Sequence, residues 1–179
     1  MKPTTVASNS AFIEKGLVEI FGKDLTAIQQ GAGDSSALIE SAIIEFGQAE
    51  ACGMLLRAGR AAFYYWMREN ADVLGWREVD FRLLPAQARI KRSLNDALKW
   101  FEANHFLKGE MSATDSAWLI AVTGLTGEGA HLDCSTFIGL MQELTCWAGA
   151  GKFYLAREIE CQVDGRECCI FEISKQPVG

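Results

Sequence analysis

At 179 residues, 49% of them hydrophobic and 10% aromatic, the chain can bury a sizeable core and is globular rather than disordered. A formal net charge of −6 and the lack of a basic stripe exclude a nucleic-acid-binding surface. No stretch approaches the apolar length of a membrane span, and the N-terminal residues carry no signal-peptide core. The chain therefore reads as cytoplasmic, where its six cysteines are thiols or ligands rather than a disulfide framework.

Helices come first along the chain. Asn9 or Ser10 caps a helix carrying Phe12, Ile13, Leu17, Ile20 and Phe21, which stops at Gly22. Residues 31–36 form a loop in which Asp34 or Ser35 caps the next helix. From Ala37 to Asn70 the pattern is helical and apolar on most sides, and it leaves open a break near Gly47. Gly47, Ala51, Gly53, Ala58, Gly59 and Ala62 make that segment rich in small residues, which implies a closely approaching neighbour. A second copy, in a homodimer, is the expected neighbour, and the alternative is another element of the same chain. The clearest helix spans residues 81–104, with Pro85 suited to its first turn and Ile90, Leu94, Leu98 and Phe101 at helical spacing.

Strands dominate the remainder. Two short ones are expected over 106–112 and 117–123, followed by a helix over 132–151 that ends in glycines. Residues 152–163 and 166–174 then form a hairpin about Asp164-Gly165. The layout is α+β, a helical layer packed on a mainly antiparallel sheet.

Two glycine-rich stretches do not hold a nucleotide. Residues 124–129 lack the strand-to-helix context of a dinucleotide fingerprint, and Lys152 is followed by Phe153 where a P-loop needs Ser or Thr. The two histidines, His105 and His131, show no triad-like neighbourhood.

The terminal segment carries more. Cys161, Cys168 and Cys169 surround the Asp164-Gly165 turn, with Glu158 three residues upstream of Cys161. Inert packing, a disulfide, a nucleophile and a metal site are the alternatives. The run from Glu158 through Cys161, Gly165, Cys169 and Phe171 to Ile173 resembles the C-terminal signature of the 4-vinyl-reductase domain family. Cys134 and Gly139 resemble that family's helix start, and residues 55–66 and 81–85 its helical part.

The resemblance implies a fold shared with phenol-sensing transcription activators and TRAPP vesicle-tethering subunits, the NO-signalling/Golgi-transport ligand-binding type. On that reading residues 1–35 are an N-terminal helical extension and 36–179 the ligand-binding domain. It also implies a structural zinc held by Cys134, Glu158, Cys161 and Cys169, and a pocket for an apolar, aromatic, lipid-like or tetrapyrrole molecule.

Strand geometry tests this ligand set. In a regular strand Glu158 and Cys161 point to opposite faces, so both reach one ion only if the chain bulges near Glu160. A two-residue hairpin loop would pair Cys161 with Cys168, whereas the family spacing selects Cys169. Arg157 or Arg166 is expected to offset the negative charge of the site. Cys52 and Cys146 are expected to be helix-packing residues.

Trp66, Trp100, Phe106 and Trp118 are candidate pocket walls, since small-molecule sites are mostly apolar. A sensor or carrier domain is the favoured function. The alternatives are a reductase of chlorophyll biosynthesis, for which no hydride-donor motif is found, and a protein–protein scaffold without ligand.

Overall fold

Gly22 and Gly47 set the lengths of the first helices. The computed structural model describes residues 11–32, 36–125 and 132–178. Helix α1 (Ala11–Ala32) is interrupted at Gly22, where φ is 80°. Helix α2 (Ser36–Phe46) is separated from α3 (Gln48–Asn70) by Gly47 at φ 83°. Both values lie where a Cβ is disfavoured, so glycine is the residue that lets the chain turn there. The break left open by the sequence pattern is therefore present. The caps expected at Asn9, Ser10, Asp34 and Ser35, and His131, lie outside the described residues.

The helix expected over 81–104 is two pieces. A single turn, α4 (Val79–Arg82), precedes α5 (Ala86–Ala103), and Pro85 stands at the N-cap of α5 rather than within its first turn. Its extended backbone, at ψ 148°, breaks the helical path and leaves Phe81 on the short turn. Ile90, Leu94, Leu98 and Phe101 all face the core, as their spacing predicts.

The sheet is built from β1 (Lys108–Ala113), β2 (Ala117–Thr123), β3 (Tyr154–Glu160) and β4 (Cys169–Pro177), in the order β1-β2-β4-β3 with every pair antiparallel. Helix α6 (Cys134–Ala148) lies between β2 and β3 in sequence and begins at Asp133, whose carboxylate accepts from the Thr136 amide. Trp118, Ile120, Val122, Cys169, Phe171 and Ile173 line the buried face of the sheet. Leu155 and Ile159 point the other way and are about half exposed, the alternation of a sheet with one covered face.

Small residues place α3 at the centre of the helical layer. Ala51, Ala58, Gly59 and Ala62 are buried within the monomer. A Cβ on Gly16 of α1 would lie 2.5 Å from the Ala58 carbonyl, and one on Gly59 2.0 Å from the Thr136 carbonyl of α6. The buried part of the small-residue run is thus satisfied within the same chain and gives no argument for a second copy, while Gly47 and Gly53 are exposed. Among the described residues no helix is long and apolar enough to cross a membrane.

Candidate metal centre

Three elements bring the terminal cysteines together. Cys134 is the first residue of α6, Glu158 lies on β3, Cys161 follows the end of β3, and Cys169 opens β4. The register between β3 and β4 shifts between Glu158 and Glu160, which is the irregularity needed to bring Glu158 and Cys161 to one side. Asp164-Gly165 does not form a two-residue hairpin loop. The chain instead makes a 3-10 turn at Gln162–Asp164, with Gly165 left-handed, before β4 begins. The longer connection leaves Cys161 opposite no strand residue, so its pairing with Cys168 does not arise. Cys169 is buried and faces inward, whereas Cys168 stays partly exposed and outside the group.

One ligand atom from each of Cys134, Glu158, Cys161 and Cys169 lies within 4.8 Å of the other three. The Sγ atoms are 3.5 Å (Cys134–Cys169), 3.9 Å (Cys134–Cys161) and 4.0 Å (Cys169–Cys161) apart. A zinc tetrahedron with bonds of about 2.3 Å has sulfur–sulfur edges of about 3.8 Å. The observed separations bracket that edge. The Gln162 backbone amide donates to Cys169 Sγ at 3.4 Å, a contact that favours negative sulfur. Glu158 Oε1 is buried and has no hydrogen-bond partner. A buried carboxylate oxygen so placed is costly unless a cation or donor meets it.

Electrostatics agree with the geometry. Burial, then the neighbouring Glu158 carboxylate, pushes the Cys134 thiol far up. The same causes push Cys161 up to about 11. Without a cation Cys134 and Cys161 are therefore held as thiols, and a dication would reverse that preference. The donor set fits a thiophilic metal. Arg157 and Arg166 do not supply the expected offset. Arg157 pairs with Glu172 at 2.7 Å, and Arg166 approaches Glu160 at 4.0 Å.

Three of the four aromatic candidates, Trp66, Trp100 and Phe106, meet in one cluster, and Trp118 stands on the sheet. Trp66 stacks on Phe101, with centroids 5.5 Å apart, and meets Trp76 and Trp100 edge-on, each at 5.4 Å. Phe106 stacks on Trp100 at 5.7 Å and joins Phe12 at 5.6 Å. Trp118 lies on β2 opposite Ile173, with the Lys175 ammonium 5.9 Å from its ring centre. Trp66 Nε1 is buried without a partner.

No protein-family model matches the sequence, and no curated protein matches it either. Solved structures do resemble it. The phenol-responsive sensory domain of the transcription activator PoxR, with phenol, has a TM-score of 0.53 and 16% identity over 77% of this chain and 71% of that one. A structure from a study of heme distortion in the H-NOX family gives 0.58 and 12% identity over 96% of both chains. An oxygen-binding H-NOX domain related to soluble guanylate cyclases gives 0.51 and 11% identity over 94% of each. The fold is theirs. At such identities the likeness extends to the α+β architecture alone.

A second polar group escapes a reading of the sequence. Glu143 of α6 is only 5% exposed, and its two oxygens accept from Arg60 Nε at 2.7 Å and from the Tyr64 hydroxyl at 2.5 Å. The signal was a charged residue on the apolar face of α6, four residues beyond Gly139. The hydrogen bond to Glu143, then partial burial, pushes the Tyr64 phenol up to about 12. An unfolded tyrosine titrates near pH 10 (about 10), so this contribution is complete below that pH. It is lost as pH rises toward the folded-state value. Tyr64 is 47% exposed, so screening keeps the effect small. Tyr64→Phe is expected to flatten the alkaline fall in stability, read from urea midpoints between about pH 9 and about pH 11.5. Parallel curves for the two proteins would refute it.

Proposed function

We propose that this chain is a small-molecule sensor or carrier domain. A structural zinc at Cys134, Glu158, Cys161 and Cys169 fastens its terminal hairpin to α6, and the ligand is an apolar, aromatic molecule received by the Trp66 cluster. The observation that carries the reading is a pair of atoms. Among the described residues, Trp66 Nε1 and Glu158 Oε1 are the buried side-chain polar atoms left without a partner. One is a donor within an aromatic cluster and the other an acceptor within a group of thiols. An aromatic ligand with one oxygen acceptor answers the first, and a metal ion answers the second. The zinc supplies a cross-link and no chemistry of its own, since four protein donors fill a tetrahedral shell.

The likeness to the PoxR phenol-sensing domain supports the ligand class, and the H-NOX likeness keeps porphyrins within it. His105 is exposed, so it offers no buried ligand for a heme iron. A ligand that binds the folded state stabilises it by mass action, by about 2.7 kcal/mol at a hundredfold excess over Kd. Phenols, fatty acids and protoporphyrin are to be screened by melting temperature and tryptophan emission. A phenol is expected to raise Tm and quench emission in the parent protein, and to do neither in Trp66→Phe. Silence from all three classes would overturn the ligand reading while leaving the metal untouched.

A further inference from the structure

A cleft of about 310 Å³ opens between α1, α3 and α6, and neither the metal centre nor the Trp66 cluster contributes to it. Glu19 and Ile20 line it from α1, Arg57, Arg60 and Tyr64 from α3, and Glu143 from α6. Its acidic groups are engaged. Glu143 accepts from Arg60 Nε and the Tyr64 hydroxyl, and Glu19 accepts from the Tyr65 hydroxyl at 3.0 Å. Its basic groups have donors to spare. Arg60 makes that single contact through Nε, so among the described residues both terminal amino groups lack a protein partner. Arg57, one turn earlier on the same helix face, makes no ion pair or hydrogen bond among the described residues.

We propose that this cleft binds a small monocarboxylate with a compact apolar body, its carboxylate held by Arg57 and Arg60. Two planar guanidinium forks suit a carboxylate's two coplanar oxygens. Ile20, with the Ala61 methyl beside it, offers the apolar body a wall. A dianion is disfavoured, because Glu19 and the buried Glu143 lie within the same cleft. The volume sits at the lower end of the range for ligand sites, about 300–1,000 Å³, which limits the guest to a single ring or a short branched chain.

Benzoate is the probe, followed by calorimetry and by amide shifts of the labelled full chain, with inorganic phosphate and phenol as competitors. Saturable binding is expected, with amide shifts centred on residues 19–20 and 57–64. Arg57→Gln is expected to weaken it by at least about tenfold, the loss of one charge-assisted contact. Arg57 is exposed and unpaired, so this variant should keep the parent melting temperature. No saturation up to about 10 mM, unchanged affinity in Arg57→Gln, or displacement by phosphate would overturn the proposal. Loss of benzoate binding in Trp66→Phe together with competition by phenol would place the molecule in the core and overturn it equally. Retained phenol binding in Arg57→Gln is the expected result that keeps the two sites distinct.

Discussion

Replacing Cys169 with serine is expected to remove stoichiometric metal and lower Tm by about 10 °C, while Cys168→Ser changes neither. The two residues are adjacent, and the fold separates them. Cys169 lies on the covered face of the sheet, 3.5 Å from Cys134 Sγ and 4.0 Å from Cys161 Sγ, whereas Cys168 lies outside the four-donor group. Serine at 169 leaves three donors, and the Glu158 carboxylate keeps its buried, unpartnered oxygen with a weaker cation or none. Structural zinc in small fingers contributes roughly 10–16 kcal/mol of apparent binding energy, and those peptides unfold without it. Here the Trp66 cluster and the small-residue contacts of α3 do not depend on the site, so the apo protein should stay folded. Its weakened part should be the hairpin from Tyr154 to Pro177. Elemental analysis of chelator-free protein gives the metal count, and hydrogen exchange gives the location of the loss. Full metal retained by Cys169→Ser, or metal lost from Cys168→Ser, would sink the assignment.

Much of the architecture is legible in the residues because periodicity reports burial directly. Ile90, Leu94, Leu98 and Phe101 of α5 are apolar at helical spacing, and all four are buried. Alternation likewise marks β4, where Cys169, Phe171 and Ile173 face inward and Ile170 and Glu172 do not. Irregularity is where periodicity fails. Alternation alone sends Glu158 and Cys161 to opposite faces, and it is the register shift before Glu160 that cancels this. A bulge has no reliable residue signature, so only the resemblance could name the four donors as a set. The Asp164-Gly165 dipeptide marks a turn correctly but not its length, because a left-handed Gly165 serves a 3-10 turn as well as a two-residue hairpin loop. The Arg60–Glu143–Tyr64 group was out of reach for a different reason. Arg60 and Tyr64 are one turn apart on α3, but Glu143 lies 83 and 79 residues further along the chain, and only the crossing of α3 and α6 makes it their neighbour.

That crossing should also be the most sensitive point of the fold, and Gly139→Ala is expected to cost more than about 3 kcal/mol. A Cβ at Gly139 would stand 1.9 Å from the Leu56 carbonyl oxygen, and one at Gly59 2.0 Å from the Thr136 carbonyl oxygen. Both obstacles are backbone, so no side chain can swing aside, and the two helices must separate along their length. Separation would pull Glu143 from Arg60 and Tyr64 and would move Cys134, at the start of α6, relative to the hairpin. Gly53→Ala is the matched control. Gly53 is exposed on the same α3, and an added Cβ would meet nothing within 4 Å. Removing the backbone freedom of a helical glycine should therefore stabilise the chain by about 0.5–1 kcal/mol. Urea unfolding of the two variants compares the terms directly, with opposite signs expected from one chemical change on helices that touch. A Gly139→Ala protein within about 1 kcal/mol of the parent would mean that α3 and α6 do not meet backbone to backbone. The central contact of the helical layer, and the route by which α6 carries Cys134 to the candidate metal centre, would then have to be redrawn.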